Sequence, residues 1–252
     1  MGLDPHWRWT SAARTDVGLV RSRNEDALLA QPQRGLWAVA DGMGGHAFGD
    51  LASGAVVDAL AGLPATTSLP HFVALARERL TGVNEALRLE ARTRLVPVIG
   101  STVAALLVHG IEAACLWAGD SRIYLLRQGR LQQLTRDHST LEALKEQGAD
   151  LAAAAASPNM ITRAIGAADT IAFDVLPLGV RDGDIFLLCS DGLSTPVDEA
   201  AIAAALAPGD CDRAADALIA LALANGGRDN ISVVVARVDD LSGDKTVINP
   251  AL

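Results

Sequence analysis

Short apolar or alternating runs, most of them closed by Gly, Asp or Pro, recur along the chain and predict β-strands. The runs lie at residues 36–40, 102–108, 112–118, 122–126, 131–134, 171–176, 184–189 and 231–238. Gln128-Gly129 lies between two of them and predicts a tight hairpin. Strands that follow one another this closely predict a largely antiparallel sheet arrangement.

Apolar positions three or four residues apart predict helices between these strands. The helical segments are 51–63, 72–95, 200–206 and 213–224. Pro70 before the second segment and Pro208-Gly209 after the third are typical of helix boundaries. The helices form two sequence-adjacent pairs, so the order of elements predicts an α+β fold with packed sheets and helices on their outer faces.

Two segments lack a clear pattern. Residues 138–168 are rich in Ala and lose their period after Gln147, which predicts a partly helical, mobile insertion. The polar residues 241–252 are expected to be a flexible tail. We find no internal repeat and no linker, so we expect one domain over residues 1–240.

Composition and charge exclude several classes of protein. The chain has 252 residues, is 50% hydrophobic, and carries a net charge of -9 with scattered basic residues, which argues against a nucleic-acid surface. The N-terminal residues lack an apolar signal core, and no apolar run reaches the ~18 residues that span a bilayer. Three Cys residues without CxxC spacing predict neither a disulfide framework nor a zinc site. We expect a cytoplasmic monomer without a membrane or nucleic-acid partner.

Acidic residues stand at the ends of several predicted strands. Asp41 and Asp191 each follow an apolar run and precede Gly, and Asp229 lies just before another run. A single Asp-Gly after a strand is usually only a turn, but the same arrangement recurs here. Carboxylates at the ends of separate strands can converge at one rim of a sheet, where they would hold hard cations such as Mg²⁺ or Mn²⁺.

Other catalytic chemistries find less support in the sequence. The Gly-rich stretch after Asp41 has neither GxxxxGK[ST] nor GxGxxG spacing, which disfavours a nucleotide-binding loop. No Ser lies in a GxSxG elbow and no Cys in a CxxxxxR loop, so a covalent intermediate is disfavoured. A water activated by two metal ions is the simpler nucleophile. Taken alone, Arg21 could be a surface residue and His46 a loop residue.

Several motifs together resemble one family. They are Gly18-Leu19-Val20-Arg21-Ser22-Arg23-Asn24-Glu25-Asp26, Asp41-Gly42-Met43-Gly44-Gly45-His46, Gly100-Ser101-Thr102, Gly119-Asp120-Ser121-Arg122-Ile123-Tyr124, Asp137-His138-Ser139, Leu188-Cys189-Ser190-Asp191-Gly192-Leu193 and Asp229-Asn230-Ile231-Ser232. In this order, over residues 13–237, they resemble the bacterial branch of the protein phosphatase 2C family, metal-dependent Ser/Thr phosphatases. The resemblance implies a four-layer α-β-β-α sandwich, in which paired helices flank two antiparallel sheets.

The resemblance also implies a set of metal ligands. Asp41 would bridge two Mn²⁺ or Mg²⁺ ions, and Gly42 would lend its carbonyl. Asp191 and Asp229 would complete the protein ligands of the first ion. Asp120, with Asp191, would hold a third and weaker ion.

Catalytic roles follow from the same resemblance. Arg21 would bind the substrate phosphate, and Glu25 and Asp26 would hold and orient the waters around the ions. Animal members carry a His directly after the Asp-Gly, whereas this chain has Met43 there and His46 three residues on. Our hypothesis is that His46 protonates the leaving oxygen, because its intrinsic pKa suits proton transfer.

The insertion at 138–168, with Asn159, Thr162 and Arg163, would be a flap beside the site. The expected activity is hydrolysis of phosphoserine and phosphothreonine on proteins, opposing a bacterial Ser/Thr kinase, with a forkhead-associated protein as a further partner. One alternative is a non-catalytic phosphoprotein-binding module of the same fold. Another is a phosphatase of a partner-switching system, although such proteins usually carry sensory domains.

Overall fold

Two antiparallel β-sheets pack face to face in the computed structural model, which describes residues 6–44, 48–146 and 160–242. The strands are β1 (Trp7–Asp16), β2 (Asp26–Gln31), β3 (Leu36–Met43), β4 (Gly100–Ser101), β5 (Val103–His109), β6 (Glu112–Ala118), β7 (Arg122–Arg127), β8 (Arg130–Gln133), β9 (Asp174–Gly179), β10 (Ile185–Cys189) and β11 (Ile231–Asp240). One sheet has the order β1-β11-β10-β7-β8, and the other has the order β2-β3-β5-β6-β9, with β4 paired to β3. All of these pairings are antiparallel.

Helices cover both outer faces of this pair of sheets. They are α1 (Gly49–Ala61), α2 (Leu69–Arg94), α3 (Thr140–Glu146), α4 (Asp191–Ser194), α5 (Glu199–Leu206) and α6 (Cys211–Ala224). The pair α1 and α2 packs on the sheet that contains β3, and the pair α5 and α6 packs on the sheet that contains β11. The predicted α-β-β-α sandwich and its two helix pairs are therefore confirmed.

Strand β3 shows how the sequence builds these layers. Successive side chains of a strand point to opposite faces, so Leu36 and Ala38 pack under the helices while Trp37 and Val39 lie between the sheets. Trp37 is fully buried, and its ring centroid lies 4.8 Å from that of Trp9 on the opposite sheet. A strand buried on both faces reads as a continuous apolar run, which is why it was recognisable in the sequence.

The hydrophobic pattern missed the strands β1 and β2. Only Trp9 and Ala12 are buried in β1, which is held instead by pairing with β11 along its full length. Strand β2 contains Ala and Leu, which favour helix in isolation, and its pairing with β3 overrides that preference. Both strands depend on distant partners that local periodicity does not reveal.

Some predicted boundaries were also displaced, and for two of them the physical reason is clear. Strand β9 begins three residues later than the predicted 171–176 and includes Pro177, which an edge strand tolerates because its unpaired side needs no N–H donor. Helix α2 starts at Leu69 behind the N-cap Ser68, so Pro70 lies in its first turn rather than before it. The hairpin at Gln128-Gly129 is confirmed, with φ of 51° and 77° at its two residues.

The predicted insertion at 138–168 contains helix α3, while residues 147–159 fall outside the described part of the chain. The tail beyond Ser242 also lies outside it. Within the described ranges, no helix combines the length and the apolar character needed to cross a bilayer.

Candidate active site

The predicted strand-end acids meet in one cleft of about 570 Å³ at one end of the two sheets. Asp41 comes from the end of β3, Asp191 follows β10, and Asp229 precedes β11. The lining residues are Arg21, Ser22, Arg23, Glu25, Asp41, Gly42, Met43, Gly44, Ile161, Asp191, Asp229 and Asn230. Sheet packing thus brings together carboxylates that lie far apart in the sequence.

Asp26 and Asp41 are direct neighbours across two paired strands. They are the first register pair of β2 and β3. The Ser190 hydroxyl donates to Asp26 Oδ2 at 2.8 Å, and Ser190 Oγ in turn accepts from the Ser232 N–H at 3.0 Å. Ser190 therefore ties the acid of one sheet to the strand ends of the other.

The Asn230 side chain joins the loop between β1 and β2 to the start of β11 through hydrogen bonds. Its amide nitrogen donates to the carbonyls of Val17 and Arg23, at 3.0 and 2.8 Å, and its amide oxygen accepts from the Glu25 N–H at 2.8 Å. This side chain uses both of its polar atoms to shape the loop that carries Arg21 and Glu25. The sequence motif contained Asn230, but only the folded structure reveals this role.

Glu25 is placed at the start of helix α1. Its Oε1 accepts from the Gly49 N–H at 3.3 Å, and its backbone carbonyl accepts from the Ser53 hydroxyl at 2.6 Å. Free N–H groups at a helix start favour a negative charge. Helix α1 therefore orients Glu25 toward the cleft.

Burial, together with the negative charges of neighbouring acids, raises the pKa values of the acids in the cleft. Burial raises the pKa of Asp41 well above its usual value, and the negative charges of Asp26 and Asp191 raise it further. Burial also raises the pKa of Asp26 to about 6, in spite of the hydrogen bond from Ser190. For Asp191, burial and then the charge of Asp229 raise the pKa. The cleft therefore concentrates negative charge that a cation would neutralise.

Asp120 lies beside the main cleft, in a smaller one of about 120 Å³. Burial, followed by the charge of Asp191, raises the pKa of Asp120 to about 7. Asp191 lines both clefts. The wall of the smaller cleft includes Arg122, whose Nη2 binds Asp137 Oδ2 at 2.7 Å.

The hydrogen bonding of the predicted acids fits a role as cation ligands. One oxygen each of Asp26, Asp120 and Asp191 is shielded from solvent and finds no hydrogen-bond donor in the described part of the chain. No three His, Cys, Asp or Glu side chains among the described residues form a tight cage. An open, oxygen-lined cleft of this kind suits Mg²⁺ or Mn²⁺ better than Zn²⁺. Mg²⁺ keeps several waters when it binds a protein, whereas structural Zn²⁺ sites are closed.

Arg21 lies at the rim of the cleft with its side chain 55% exposed. Its Nη2 donates to Asp229 Oδ2 at 2.7 Å, and this hydrogen bond is the main cause of a raised Arg21 pKa. The guanidinium therefore stays charged and lies beside a predicted metal ligand.

Gly45, His46 and Asn159 lie outside the described residues, whereas Thr162 and Arg163 are described.

Comparisons with known proteins agree with this architecture. The protein phosphatase 2C family profile matches residues 20–220. The serine/threonine protein phosphatase PstP of Mycobacterium tuberculosis is 39% identical over 241 residues, 93% of this chain and 46% of PstP. The chain thus spans about half the length of that curated relative.

Two solved structures are similar over nearly their full length. PppA, described as a key regulatory component of T6SS in Pseudomonas aeruginosa, is 43% identical, with a TM-score of 0.86 over 91% of this chain and 97% of that one. The catalytic domain of PstP in complex with two manganese ions is 38% identical, with a TM-score of 0.84 over 93% of this chain and 100% of that one. Fold and cleft define an α-β-β-α sandwich with an acidic cleft at one end. The chain belongs to the protein phosphatase 2C family.

Proposed function

We propose that this protein is a metal-dependent protein phosphatase that hydrolyses phosphoserine and phosphothreonine by attack of an activated water. The observation that carries the proposal is the convergence of Asp41, Asp191 and Asp229 in one cleft with Arg21 at its rim. The manganese complex of the similar PstP domain supports the choice of cofactor. The catalytic proposal is favoured over the non-catalytic alternative because all the predicted metal-ligand carboxylates, Asp41, Asp191, Asp229 and Asp120, line one of the two clefts.

The proposed ligands of two Mn²⁺ or Mg²⁺ ions are Asp41, the Gly42 carbonyl, Asp191 and Asp229. A third ion would use Asp120 and Asp191, which line the smaller cleft together. When bound, the two central ions would lower the pKa of water and orient it for in-line attack on phosphorus.

The remaining residues bind, orient and transfer protons. Glu25 and Asp26 accept hydrogen bonds from waters in the cleft and hold them on the attacking side. Arg21 pairs with the phosphate oxygens of the substrate. His46 would donate the proton to the departing serine or threonine oxygen. The role of His46 rests on the sequence alone, because His46 lies outside the described residues.

Metal removal is the direct test of the proposed activity. Purified protein should release phosphate from p-nitrophenyl phosphate and from a phosphothreonine peptide when Mn²⁺ or Mg²⁺ is present. EDTA should abolish this activity, and excess Mn²⁺ should restore it. Turnover that survives EDTA would overturn the mechanism. Tight peptide binding without turnover in Mn²⁺ would instead support the phosphoprotein-binding module.

Arg21→Ala should raise the KM for p-nitrophenyl phosphate by about tenfold or more, because a charge-assisted contact to the phosphate is lost. Arg21→Lys should recover only part of this loss, since a single ammonium lacks the bidentate geometry. Arg23→Ala serves as the control, because Arg23 lies on the same loop and lines the same cleft. Equal KM values for Arg21→Ala and wild type would exclude phosphate binding by Arg21.

The physiological setting forms part of the proposal. Phosphoproteins of a bacterial Ser/Thr kinase are the proposed substrates, a forkhead-associated protein is a proposed partner, and the cytoplasm is the proposed location. Support for these assignments comes from the family and from the acidic, non-membrane character of the sequence. Mass spectrometry of the phosphoproteome after deletion of the gene would test them: phosphothreonine sites should accumulate on specific proteins.

A further inference from the structure

His138 bridges two parts of the structure that border the active site. Its side chain is only 10% exposed and stacks on Trp117, with ring centroids 6.2 Å apart and planes within 8°. The Nδ1 atom accepts from the Gly119 N–H at 3.0 Å, and Nε2 lies 3.2 Å from Asp174 Oδ2. Both ring nitrogens therefore have defined partners.

These partners determine the tautomer of the imidazole. A backbone N–H can only donate, so Nδ1 must be unprotonated, and the ring proton lies on Nε2 and points to Asp174. Burial lowers the pKa of His138, which agrees with a neutral ring. His138 thus accepts on one side and donates on the other.

Through Nδ1, His138 contacts the turn that carries Asp120. Gly119 has a φ of 115°, and a Cβ there would lie 2.6 Å from the Thr102 side chain, so the turn packs tightly against Thr102. Thr102 Oγ1 accepts from the Asp41 N–H at 2.9 Å and shares a hydrogen bond of 2.7 Å with the Ser121 hydroxyl. Displacement of Gly119 would therefore reach the backbone of Asp41.

Through Nε2 and Asp174, His138 is connected to residues 160–163, in the described part of the insertion. Asp174 Oδ1 binds Arg163 Nη1 at 2.7 Å, so one carboxylate holds both His138 and Arg163. The Thr162 N–H donates to the His138 carbonyl at 2.8 Å. Ile161, the next residue back, lines the active-site cleft.

We propose that His138 is a positioning residue that fixes the segment 160–163 relative to the Gly119-Asp120 turn, with one ring nitrogen holding each side. The consequence for catalysis rests on the proposed function: the contact of Nε2 with Asp174 places the wall that meets the protein substrate, and the contact of Nδ1 with Gly119 places the turn of the additional metal site. Neither contact involves a reacting atom, so His138 acts through other residues.

Two amide substitutions separate the two contacts. In His138→Asn the amide oxygen lies near the position of Nδ1, so it accepts from Gly119 but does not reach Asp174. In His138→Gln the amide nitrogen lies near the position of Nε2, so it reaches Asp174 but leaves the Gly119 N–H without its acceptor. His109→Asn and His109→Gln are the controls, because His109 ends β5 on the side away from Thr102.

Hydrogen exchange provides a readout that does not depend on catalysis. His138→Asn should speed exchange of the amides at 161–163 and leave those at 119–121 unchanged, and His138→Gln should do the opposite. Calorimetric titration with Mn²⁺ should show weaker binding, by about tenfold at the weakest site, only for His138→Gln. The KM for a phosphothreonine peptide should rise, by about tenfold, only for His138→Asn, with p-nitrophenyl phosphate unaffected.

The pattern of effects decides the result. If both variants speed exchange equally at both segments, or if neither changes exchange, the proposed division of labour is wrong. A globally lowered melting temperature with uniform exchange would assign His138 to general packing on Trp117. If the two variants show the expected exchange pattern but the wild-type protein has no phosphatase activity, the positioning role of His138 stands and the proposed function is rejected.

Discussion

Replacement of Asp41 by Asn is expected to abolish phosphate release and to raise the melting temperature of the metal-free protein. Loss of the charge that would hold both ions should lower kcat by roughly 1000-fold or more. The same change removes a carboxylate whose pKa is raised by burial and by four neighbouring acids. Stability should therefore rise by about 1 kcal/mol, or a few degrees for a chain of this size.

The substitution should not disturb the backbone around position 41. The Asp41 N–H donates to Thr102 Oγ1, and its carbonyl accepts from the Ser101 hydroxyl and the Thr102 N–H, so these contacts do not involve the side chain. The melting temperature is measured by calorimetry in EDTA, and kcat is measured in saturating Mn²⁺. Asp212→Asn, whose carboxylate is 72% exposed, is the control and should retain full activity. An Asp41→Asn variant within about tenfold of wild-type kcat would remove Asp41 from the metal site.

Gly42→Ala is expected to cause a large loss of stability. A Cβ at position 42 would lie 2.0 Å from the Gly49 carbonyl oxygen and 2.5 Å from that of Glu25. Both neighbours are backbone atoms, so relief requires movement of the start of α1 or of the loop that carries Glu25. We expect a decrease of about 3 kcal/mol or more in the free energy of unfolding, measured by denaturant titration, together with loss of activity.

Gly54→Ala provides a matched control within helix α1. A Cβ at Gly54 would meet nothing within 4 Å, and Ala is favoured over Gly inside a helix. This variant should be more stable than wild type by about 0.5–1 kcal/mol and fully active. Similar effects of the two substitutions would show that the close approach at Gly42 does not exist in solution.

Residue type and order were sufficient to predict much of the candidate site. Asp41, Asp191 and Asp229 follow or precede apolar runs, and the end of a strand must emerge at the rim of its sheet. Their convergence could thus be anticipated, and the structure brings them into one cleft. The hydrogen bonds of Asn230 and His138 could not be anticipated, because the partners of each lie far away in the sequence, up to 213 positions for Asn230.

The sequence by itself determined the helix pairs, the buried central strands and the identity of the acidic residues, because burial on both faces and helical periodicity leave a local pattern. Only the tertiary structure determines that the segments β1 and β2 form strands, because they are held by pairing with β11 and β3. It also decided which side chains orient the acids, because hydrogen bonds between distant residues leave no period in the sequence. The charge of the site is therefore encoded locally, and its geometry is set by the packing of the two sheets.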